Sequence, residues 1–172
     1  MTTAYTDPQS IHNPTAGSAI PATWGDTVRN DLEFLIAPPM VMCANASTTI
    51  VTGGAMVPFT NAADLWDTDA FHSDTNSTRI TIPTGLGGRY NIQAAVWWDT
   101  DTAGSYRQIE AIKGGATPLV DIIAAPATYV RQSFSFDVAL AAGEYIELFA
   151  GQNSGGTRTI TGARFGIRWV SR

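Results

Sequence analysis

Cysteine, lysine and charge of either sign are all scarce in this sequence of 172 residues. The single cysteine, Cys43, cannot form an internal disulfide, so the fold must be held together by packing. Charged residues make up 15% of the chain, against about 25% in an average soluble domain. A surface with so little charge is expected to be either unusually neutral or largely covered by partners.

Other absences exclude whole classes of function. The net charge is −5 and Lys113 is the only lysine, so no basic surface for nucleic acid or for an anionic membrane is expected. The apolar runs are far shorter than the ~18 residues that a membrane helix requires. Residues 1–10 contain neither the basic nor the apolar part of a secretory signal. We therefore expect neither a nucleic-acid partner nor insertion into a membrane.

The first 39 residues, 1–39, divide into an extended arm and a short helix. Residues 1–23 contain three prolines among small polar residues and show no hydrophobic period, so they are not expected to fold alone. A helix of about three turns is predicted to follow, with Thr23 near its cap and a Pro-Pro pair at its end. Its apolar stripe, widened by Phe34 and Ile36, is interpreted as an anchoring face and consists of Trp24, Val28, Leu32 and Leu35.

From residue 40 onward the hydrophobic period changes from that of a helix to that of strands. Apolar and polar residues alternate in the segments 90–98, 134–140 and 165–169. Glycine-containing turns separate these and several shorter apolar segments, and no helical pattern lies between them. The sequence therefore predicts an all-β domain over 40–172, which is a sandwich, a jelly roll or a barrel.

Three motifs mark the order of these strands. The first, I-x-x-P…G-x-Y-x-I-x-A-x-V-x-W, runs from Ile80 to Trp98, and the second, S-F…L-x-A-G-E-x-I-x-L, runs from Ser133 to Leu148. An aromatic strand follows at 165–170. Together the motifs resemble the globular-head jelly roll of the complement and tumour-necrosis-factor superfamily, in the plainer form found in bacteria and phages. The resemblance implies a jelly-roll sandwich of about eight to ten antiparallel strands.

The helix region carries a second resemblance. The phrase T-W-x-D-x-V-R-N at residues 23–30, with Leu35 and the Pro-Pro stop after it, is similar to the N-terminal segments of many phage virion proteins. Joined to a compact jelly roll, it resembles a phage structural protein whose arm attaches to the particle and whose head projects. The superfamily resemblance also implies a homotrimer, packed through aromatic and aliphatic residues of an outer sheet face.

The strand pattern gives an independent reason to expect an oligomer. Trp97 and Trp98 are adjacent on one strand, so one of them must point away from the core. The same alternation turns Tyr145 and Phe149 outward, and outward aromatic side chains form an exposed apolar patch unless a partner covers them. With Arg168 on the last strand as a donor to carboxylates, Trp97, Tyr145 and Phe149 are the predicted homotrimer interface.

These expectations favour a non-enzymatic phage virion protein that is assembled in the bacterial cytoplasm and exposed on the particle. The arm and the helix would attach it to capsid or tail proteins, as in a capsid decoration or head-fibre protein. The first alternative is a tail-fibre or tail-tip receptor-binding protein that adheres to host surface glycans. The second is a polysaccharide hydrolase, for which the strand region offers Glu110, Glu144 and Glu147 as carboxylates.

Two groups of residues bear on metal binding. One loop carries four acidic residues, Asp64, Asp67, Asp69 and Asp74. Their oxygens suit Ca²⁺, although aspartates also favour turns for local reasons, and a solvated loop without a cofactor is the main expectation. His12 and His72 are the only histidines and lie far apart, so no Cys/His zinc set with Cys43 is expected. Cys43 is predicted to be a small buried hydrophobe rather than a nucleophile.

Overall fold

The computed structural model describes residues 22–60, 63–125 and 130–171, and of residues 22, 23 and 117–120 it describes only the backbone. The predicted arm lies outside the described residues except for its last two positions. One α-helix, α1, spans Ala22–Ile36. The strands of the described residues are β1 (Met40–Asn45), β2 (Thr48–Ile50), β3 (Ala55–Met56), β4 (Trp66–Asp67), β5 (Arg79–Thr81), β6 (Gly88–Trp98), β7 (Tyr106–Lys113), β8 (Ala116–Ala124), β9 (Val130–Leu140), β10 (Tyr145–Gln152) and β11 (Arg158–Ser171).

The strands form two antiparallel sheets, as the sequence predicts. The six-stranded sheet has the order β4-β1-β11-β6-β9, with β2 also paired to β11. The five-stranded sheet has the order β3-β10-β7-β8, with β5 also paired to β10. The first and last strands of the domain are therefore neighbours, and most neighbours in each sheet are far apart in sequence. This is the crossed connectivity of a jelly roll, and the prediction of an all-β sandwich is confirmed.

The core lies between the two sheets, and the alternation along β6 predicts it correctly. The fully buried side chains of the inner face of this strand are Tyr90, Ile92, Val96 and Trp98. The hydroxyl group of Tyr90 donates a hydrogen bond to the carbonyl oxygen of Leu86. The indole nitrogen of Trp98 donates to the side-chain oxygen of Gln132 at 2.7 Å. The polar ends of both large aromatic residues are thus satisfied inside the core, as burial requires.

The predicted alternation on β9 is also present, but its inner face is buried less completely. Phe134, Phe136 and Val138 pack against the core and are only half-buried. The reason is that β9 is the last strand of its sheet, so the inner face has a neighbour on one side only. Two further strands, β3 and β4, are two residues long, which is too short for any alternation to predict them.

Helix α1 contacts the six-stranded sheet near its C-terminal end. The helix starts one residue before the predicted cap, Thr23. Phe34 is 1% exposed, and its ring meets the ring of Trp169 edge-on with 4.4 Å between the ring centroids. The backbone N–H of Trp169 donates to the carbonyl oxygen of Pro39 at 2.9 Å. The helix is thereby joined to β11. Within the described part of the chain, no helix is long and apolar enough to cross a bilayer.

Candidate functional site

The predicted anchoring face of α1 is largely exposed on the described chain. Leu32 is 52% exposed and Leu35 is 61% exposed, whereas Trp24 and Val28 are half-buried. Phe34 is the side chain that packs on the sheet, because it lies about 100° around the helix from Leu35. Leu32 and Leu35 of the apolar stripe are therefore left largely uncovered by the described chain. An exposed apolar patch of this kind is typical of an interaction surface.

A second surface is the outer face of the six-stranded sheet, called the outer sheet face below. Its register places Gly166 of β11 between Met42 of β1 and Gln93 of β6. Two residues before Gly166 on β11, on the same face, Arg164 lies between Ala44 and Ala95. A groove of about 440 Å³ crosses the middle of this face. Small residues at the centre of the face therefore leave a depression that a neighbouring side chain can enter.

The centre of the outer sheet face requires a glycine. A Cβ atom added to Gly166 would lie 2.4 Å from the carbonyl oxygen of Val41 and 2.9 Å from Cε of Met42. Beside this position, Trp66 of β4 is 46% exposed and borders a small cavity together with Met42 and Gly166. Trp66 was not among the predicted interface residues, because a two-residue strand gives no alternation from which its orientation could be read.

Arginine side chains surround this apolar centre. The guanidinium group of Arg131 lies 4.6 Å from the centroid of the Trp97 ring, and Trp97 itself is half-buried. Arg164 and Arg168 are exposed and make no hydrogen bond or ion pair with any of the residues that the structure describes. Two of the predicted interface residues, Trp97 and Arg168, thus lie on the same face. Their surroundings combine an aromatic contact surface with cationic groups that suit carboxylates.

The other two predicted interface residues lie on the opposite side of the sandwich. Tyr145 and Phe149 belong to β10, in the five-stranded sheet. The guanidinium group of Arg79 covers the Tyr145 ring at 4.0 Å from its centroid. The Phe149 ring lies so close to Gly54 that a Cβ atom there would be 2.2 Å from its Cζ. Both rings are partly covered by their own chain, and the structure does not bring them together with Trp97 and Arg168.

The acidic loop uses its carboxylates in several different local contacts. The carboxylate of Asp67 accepts hydrogen bonds from the backbone N–H groups of Asp69, Phe71 and His72 at 3.0–3.3 Å. The carboxylate of Asp69 accepts from the hydroxyl group of Thr68 at 2.7 Å. Asp74 begins a short 3₁₀ helix. These contacts agree with the expectation that aspartates organise the turns of this loop, and calcium binding stays a prediction.

Cys43 lies close to one of the two histidines, His72, although their separation in the sequence gave no reason to expect a Cys/His set. His12 lies outside the described residues, but donor atoms of Cys43, Asp64 and His72 all lie within 4.8 Å of one another. Burial, together with the nearby Asp64 carboxylate, raises the pKa of the Cys43 thiol far above its usual range. Cys43 lies inside β1, whereas Asp64 and His72 lie in the connection between β3 and β5, so their spacing in the sequence gave no signal of the cluster.

The glutamates weighed for hydrolysis are engaged in local contacts. Glu147 is buried, where it accepts hydrogen bonds from the hydroxyl group of Thr78 at 2.6 Å and from Nε of Arg79 at 3.2 Å. A hydrogen bond from the backbone N–H of Ala141, and then the ammonium group of Lys113, lower the pKa of Glu144. A general acid of a glycosidase needs a raised pKa, so Glu144 is shifted in the direction opposite to that role.

The strand order, the two sheets and the buried aromatic core together define the class of this protein. It has the jelly-roll fold of the complement globular head, in agreement with the resemblance of its motifs. No protein-family model matches the chain, and no curated protein is similar to it in sequence. The assignment to this fold class therefore rests on the structure.

Two solved structures illustrate the similarity. The globular domain of the zebrafish complement 1qA protein is 12% identical in sequence, with a TM-score of 0.56, over 78% of this chain and 99% of that one. The PRD1 vertex protein P5 is 15% identical, also with a TM-score of 0.56, over 77% of this chain and 73% of that one. Sequence identities this low establish a shared fold and leave function to be argued from the surfaces described above.

Proposed function

We propose that this protein is a structural component of a bacteriophage virion, of the capsid decoration or head-fibre type. Its jelly-roll head is displayed as a homotrimer, and its N-terminal region attaches the head to other virion proteins. We assign attachment to residues 1–39 and display to residues 40–172. The observation that carries the proposal is the unused apolar face of α1, next to a head that is already fully folded around its own core.

The exposure of the helix supports a role in attachment. Leu32, Leu35 and Ile36 are all more than half exposed, although leucine and isoleucine side chains gain about 1.5–3 kcal/mol each when they are fully buried. The described contacts that join the helix region to the sheet are made by other groups, namely the ring of Phe34 and the carbonyl oxygen of Pro39, both with Trp169. A partner that covers this face therefore gains binding energy without disturbing the head.

The outer sheet face supports the assignment of a homotrimer. It combines the half-buried Trp97, the exposed Trp66 and the two arginines, Arg164 and Arg168. Aromatic residues and arginine are enriched in the centres of protein interfaces. We assign the interface to this face rather than to the face of Tyr145, because this face carries the exposed ring of Trp66, whereas Tyr145 and Phe149 are both half-buried. Threefold display strengthens any weak contact of the head by avidity.

The similarity to a vertex protein of the PRD1 phage supports a location on the virion. The shared element is the jelly-roll sandwich, which in this chain follows directly after the helix. With no shaft between α1 and β1 in the described residues, the head is held close to its attachment point. This arrangement favours a short particle-bound protein over the alternative of a long tail fibre.

Attachment through α1 is tested with the full-length chain by the double substitution Leu32→Asp and Leu35→Asp. We expect the amount of protein in purified particles to fall at least about 10-fold, because two apolar contacts are replaced by charges. The matched control is Ile122→Asp, which charges an exposed apolar residue on β8, in the head. Incorporation of the double variant at the level of the control would contradict attachment through the helix, and absence of the wild-type protein from particles would contradict a virion role.

A further inference from the structure

The cluster of Cys43, Asp64 and His72 brings three kinds of metal-binding side chain to one point inside the head. Cys43 lies in β1, Asp64 lies just before β4, and His72 forms an isolated bridge with Ile80 of β5. The thiol sulfur, a carboxylate oxygen and an imidazole nitrogen all lie within 4.8 Å of one another. Three separate segments of the chain therefore bring their donor atoms to one point.

This cluster is almost completely shielded from water. Cys43 is 0% exposed, the side chain of His72 is 0% exposed and the side chain of Asp64 is 10% exposed. Oδ2 of Asp64 lies 2.9 Å from Nδ1 of His72. Oδ1 of Asp64 is buried and has no hydrogen-bond partner of normal geometry. Burial, and then the charge of Asp64 and a hydrogen bond with it, raise the pKa of the neighbouring Cys43 thiol, so a thiol, which is a weak donor, is the group beside Asp64. A buried carboxylate oxygen without a strong partner is costly, so a further positive group is expected beside it.

We propose that Cys43, Asp64 and His72 bind a zinc ion, with a water molecule as the fourth ligand. Thiolate, imidazole and carboxylate are the three protein ligands that Zn²⁺ accepts, and three protein ligands plus water is an established coordination for it. Bonds of about 2.0–2.3 Å in a tetrahedral site put neighbouring donor atoms roughly 3.5 Å apart, so small side-chain rotations within the cluster suffice. On binding, the thiol releases its proton to solvent and the sulfur becomes a thiolate ligand.

The three ligands of this cluster do not suit calcium, the ion considered above for the acidic loop. Calcium and magnesium prefer six or more oxygen ligands, whereas this cluster offers one sulfur, one nitrogen and one carboxylate. The cluster shares Asp64 with that loop but not its other aspartates, because Asp67 and Asp69 are engaged with backbone and hydroxyl groups. The proposal is thus separate from calcium binding, and it holds whatever the head is attached to.

Zinc at this point would fasten the long connection between β3 and β5 to the six-stranded sheet. Cys43 is fixed in the ladder between β1 and β11, opposite Phe165. Asp64 and His72 both belong to the connection, on either side of β4. A metal bridge would therefore cross-link an irregular segment to a regular one, which is the role that disulfides have in chains with more than one cysteine.

The test uses the full-length protein, first stripped of metal with a chelator and then titrated with Zn²⁺ and, separately, with Co²⁺. We expect one Zn²⁺ per chain, a higher Tm with Zn²⁺ than after chelation, and a thiolate-to-cobalt charge-transfer absorption with Co²⁺. Cys43→Ser and Asp64→Asn should each lower the affinity for Zn²⁺ by at least about 100-fold, beyond the 10–100-fold effect of residues outside the ligand set. The matched controls are His12→Gln, which removes the other histidine, and Asp69→Asn in the same loop; both should bind like the wild type.

Three results would overturn the proposal. The first is a wild-type chain that binds no Zn²⁺ at micromolar concentration, which would leave the cluster as a hydrogen-bonded group only. The second is unchanged affinity in Cys43→Ser and Asp64→Asn. The third is a Co²⁺ complex of the wild type without thiolate absorption, and this result decides the matter even where a variant fails to fold.

Discussion

Glu144 is held at the turn between β9 and β10 by two donors that both favour its charged form. Its carboxylate accepts the backbone N–H of Ala141 at 2.7 Å and lies 3.0 Å from the ammonium nitrogen of Lys113. The lowered pKa that results means that the folded chain binds fewer protons at this site than the unfolded chain in mildly acidic solution. Its contribution to stability is therefore complete above the usual value of 4.5 and is lost as the pH falls through the lowered value.

Replacing this carboxylate should have an effect that depends on pH. We expect Glu144→Gln to lower the Tm at pH 7 by no more than about 3 °C, because the ion pair is at the surface. The difference from the wild type should shrink as the pH falls below about 4, where the wild-type carboxylate also becomes protonated. Thermal unfolding followed by circular dichroism from pH 3 to pH 7 measures this. The control is Glu33→Gln on α1, and a difference at pH 3 as large as that at pH 7 would contradict the assignment.

At the level of single residues, the sequence predicted which way a strand side chain points better than which distant residues come into contact. The alternation correctly turns Trp98 inward and Trp97 outward, because successive side chains on a strand point to opposite faces. It could not predict that Cys43 and His72 meet, because that contact depends on the path of the irregular segment after β3. It also could not predict that Arg79 covers Tyr145, since β5 and β10 are distant in sequence.

Among the elements, α1 differs from the strands in how it is held. Each central strand has hydrogen-bonded neighbours on both sides, whereas the helix is joined to the sheet mainly at one end, through Phe34 and Trp169. Its surface ion pairs, from Arg29 to Asp26 and to Glu33, are exposed and contribute little to stability. A helix of this length is marginal by itself, so we expect its order to depend largely on the contact of Phe34 with Trp169, which lies next to the backbone hydrogen bond of Pro39.

Removal of that contact should release the helix without unfolding the head. We expect Phe34→Ala to increase the rate of proteolytic cleavage within residues 22–39 at least about 10-fold, because local opening becomes easier while the core between the sheets is unchanged. The Tm of the β-sandwich should also fall, since Phe34 is 1% exposed and belongs to the buried core, but less than after truncation of a phenylalanine between the two sheets, where Phe→Ala costs about 3–5 kcal/mol. Limited proteolysis with mass spectrometry gives both the site and the rate of cleavage.

The control for this prediction is Leu35→Ala, one residue further along the helix. Leu35 is 61% exposed, so its truncation should leave the rate of cleavage close to that of the wild type. Equal sensitivity of the two variants would mean that the helix is not held by Phe34.

The strands with a long alternation, β6, β9 and β11, were all predicted, β6 with nearly the observed bounds, whereas β9 and β11 begin four and seven residues before the alternation read from the sequence. The helix was also predicted, from its stripe and its Pro-Pro stop, but the sequence could not tell which apolar side chain docks. The stripe with Leu32 and Leu35 was interpreted as an anchoring face, and the side chain that meets the sheet is Phe34, because only the tertiary path of the chain decides which side of a short helix meets the sheet. Hydrophobic periodicity predicts which face of a helix or strand is apolar, but it does not predict which other element that face packs against.

For the whole molecule, the two outer faces of the sandwich have different properties. The outer sheet face has a central groove, the exposed Trp66, and Arg164 and Arg168 without partners in the described chain, whereas the aromatic rings of Tyr145 and Phe149 on the five-stranded sheet are half-buried. The low charge of the sequence suggested covered surfaces without showing where they are. In the structure, the surfaces that partners are most expected to cover are the outer sheet face and the exposed side of α1.

The proposed homotrimer can be tested by substitutions on the two faces. We expect Trp97→Gln to raise the dissociation constant of the oligomer at least about 30-fold, the effect of a central interface residue worth about 2 kcal/mol. The matched control, Tyr145→Gln, changes an aromatic residue on the opposite face and should leave the mass in solution unchanged. Sedimentation equilibrium over a range of concentrations measures both.

Two other outcomes of this measurement would contradict the assignment. If the oligomer dissociated in Tyr145→Gln but not in Trp97→Gln, the interface would lie on the five-stranded sheet instead. A wild-type chain that remains monomeric at micromolar concentration would exclude the homotrimer.

The pairing of β1 with β11 has a mechanical consequence for any protein held by its N-terminal segment. A pull on residues 1–39 enters the sandwich at Met40, the first residue of β1. That strand runs antiparallel to β11 over six consecutive residue pairs, from Met40–Arg168 to Asn45–Ala163. A force along the strand axis loads the hydrogen bonds of this ladder together, in shear, and not one after another. β1, the strand through which such a force enters the head, is thus held by a ladder in which all of the hydrogen bonds must break together before the strand can be pulled out.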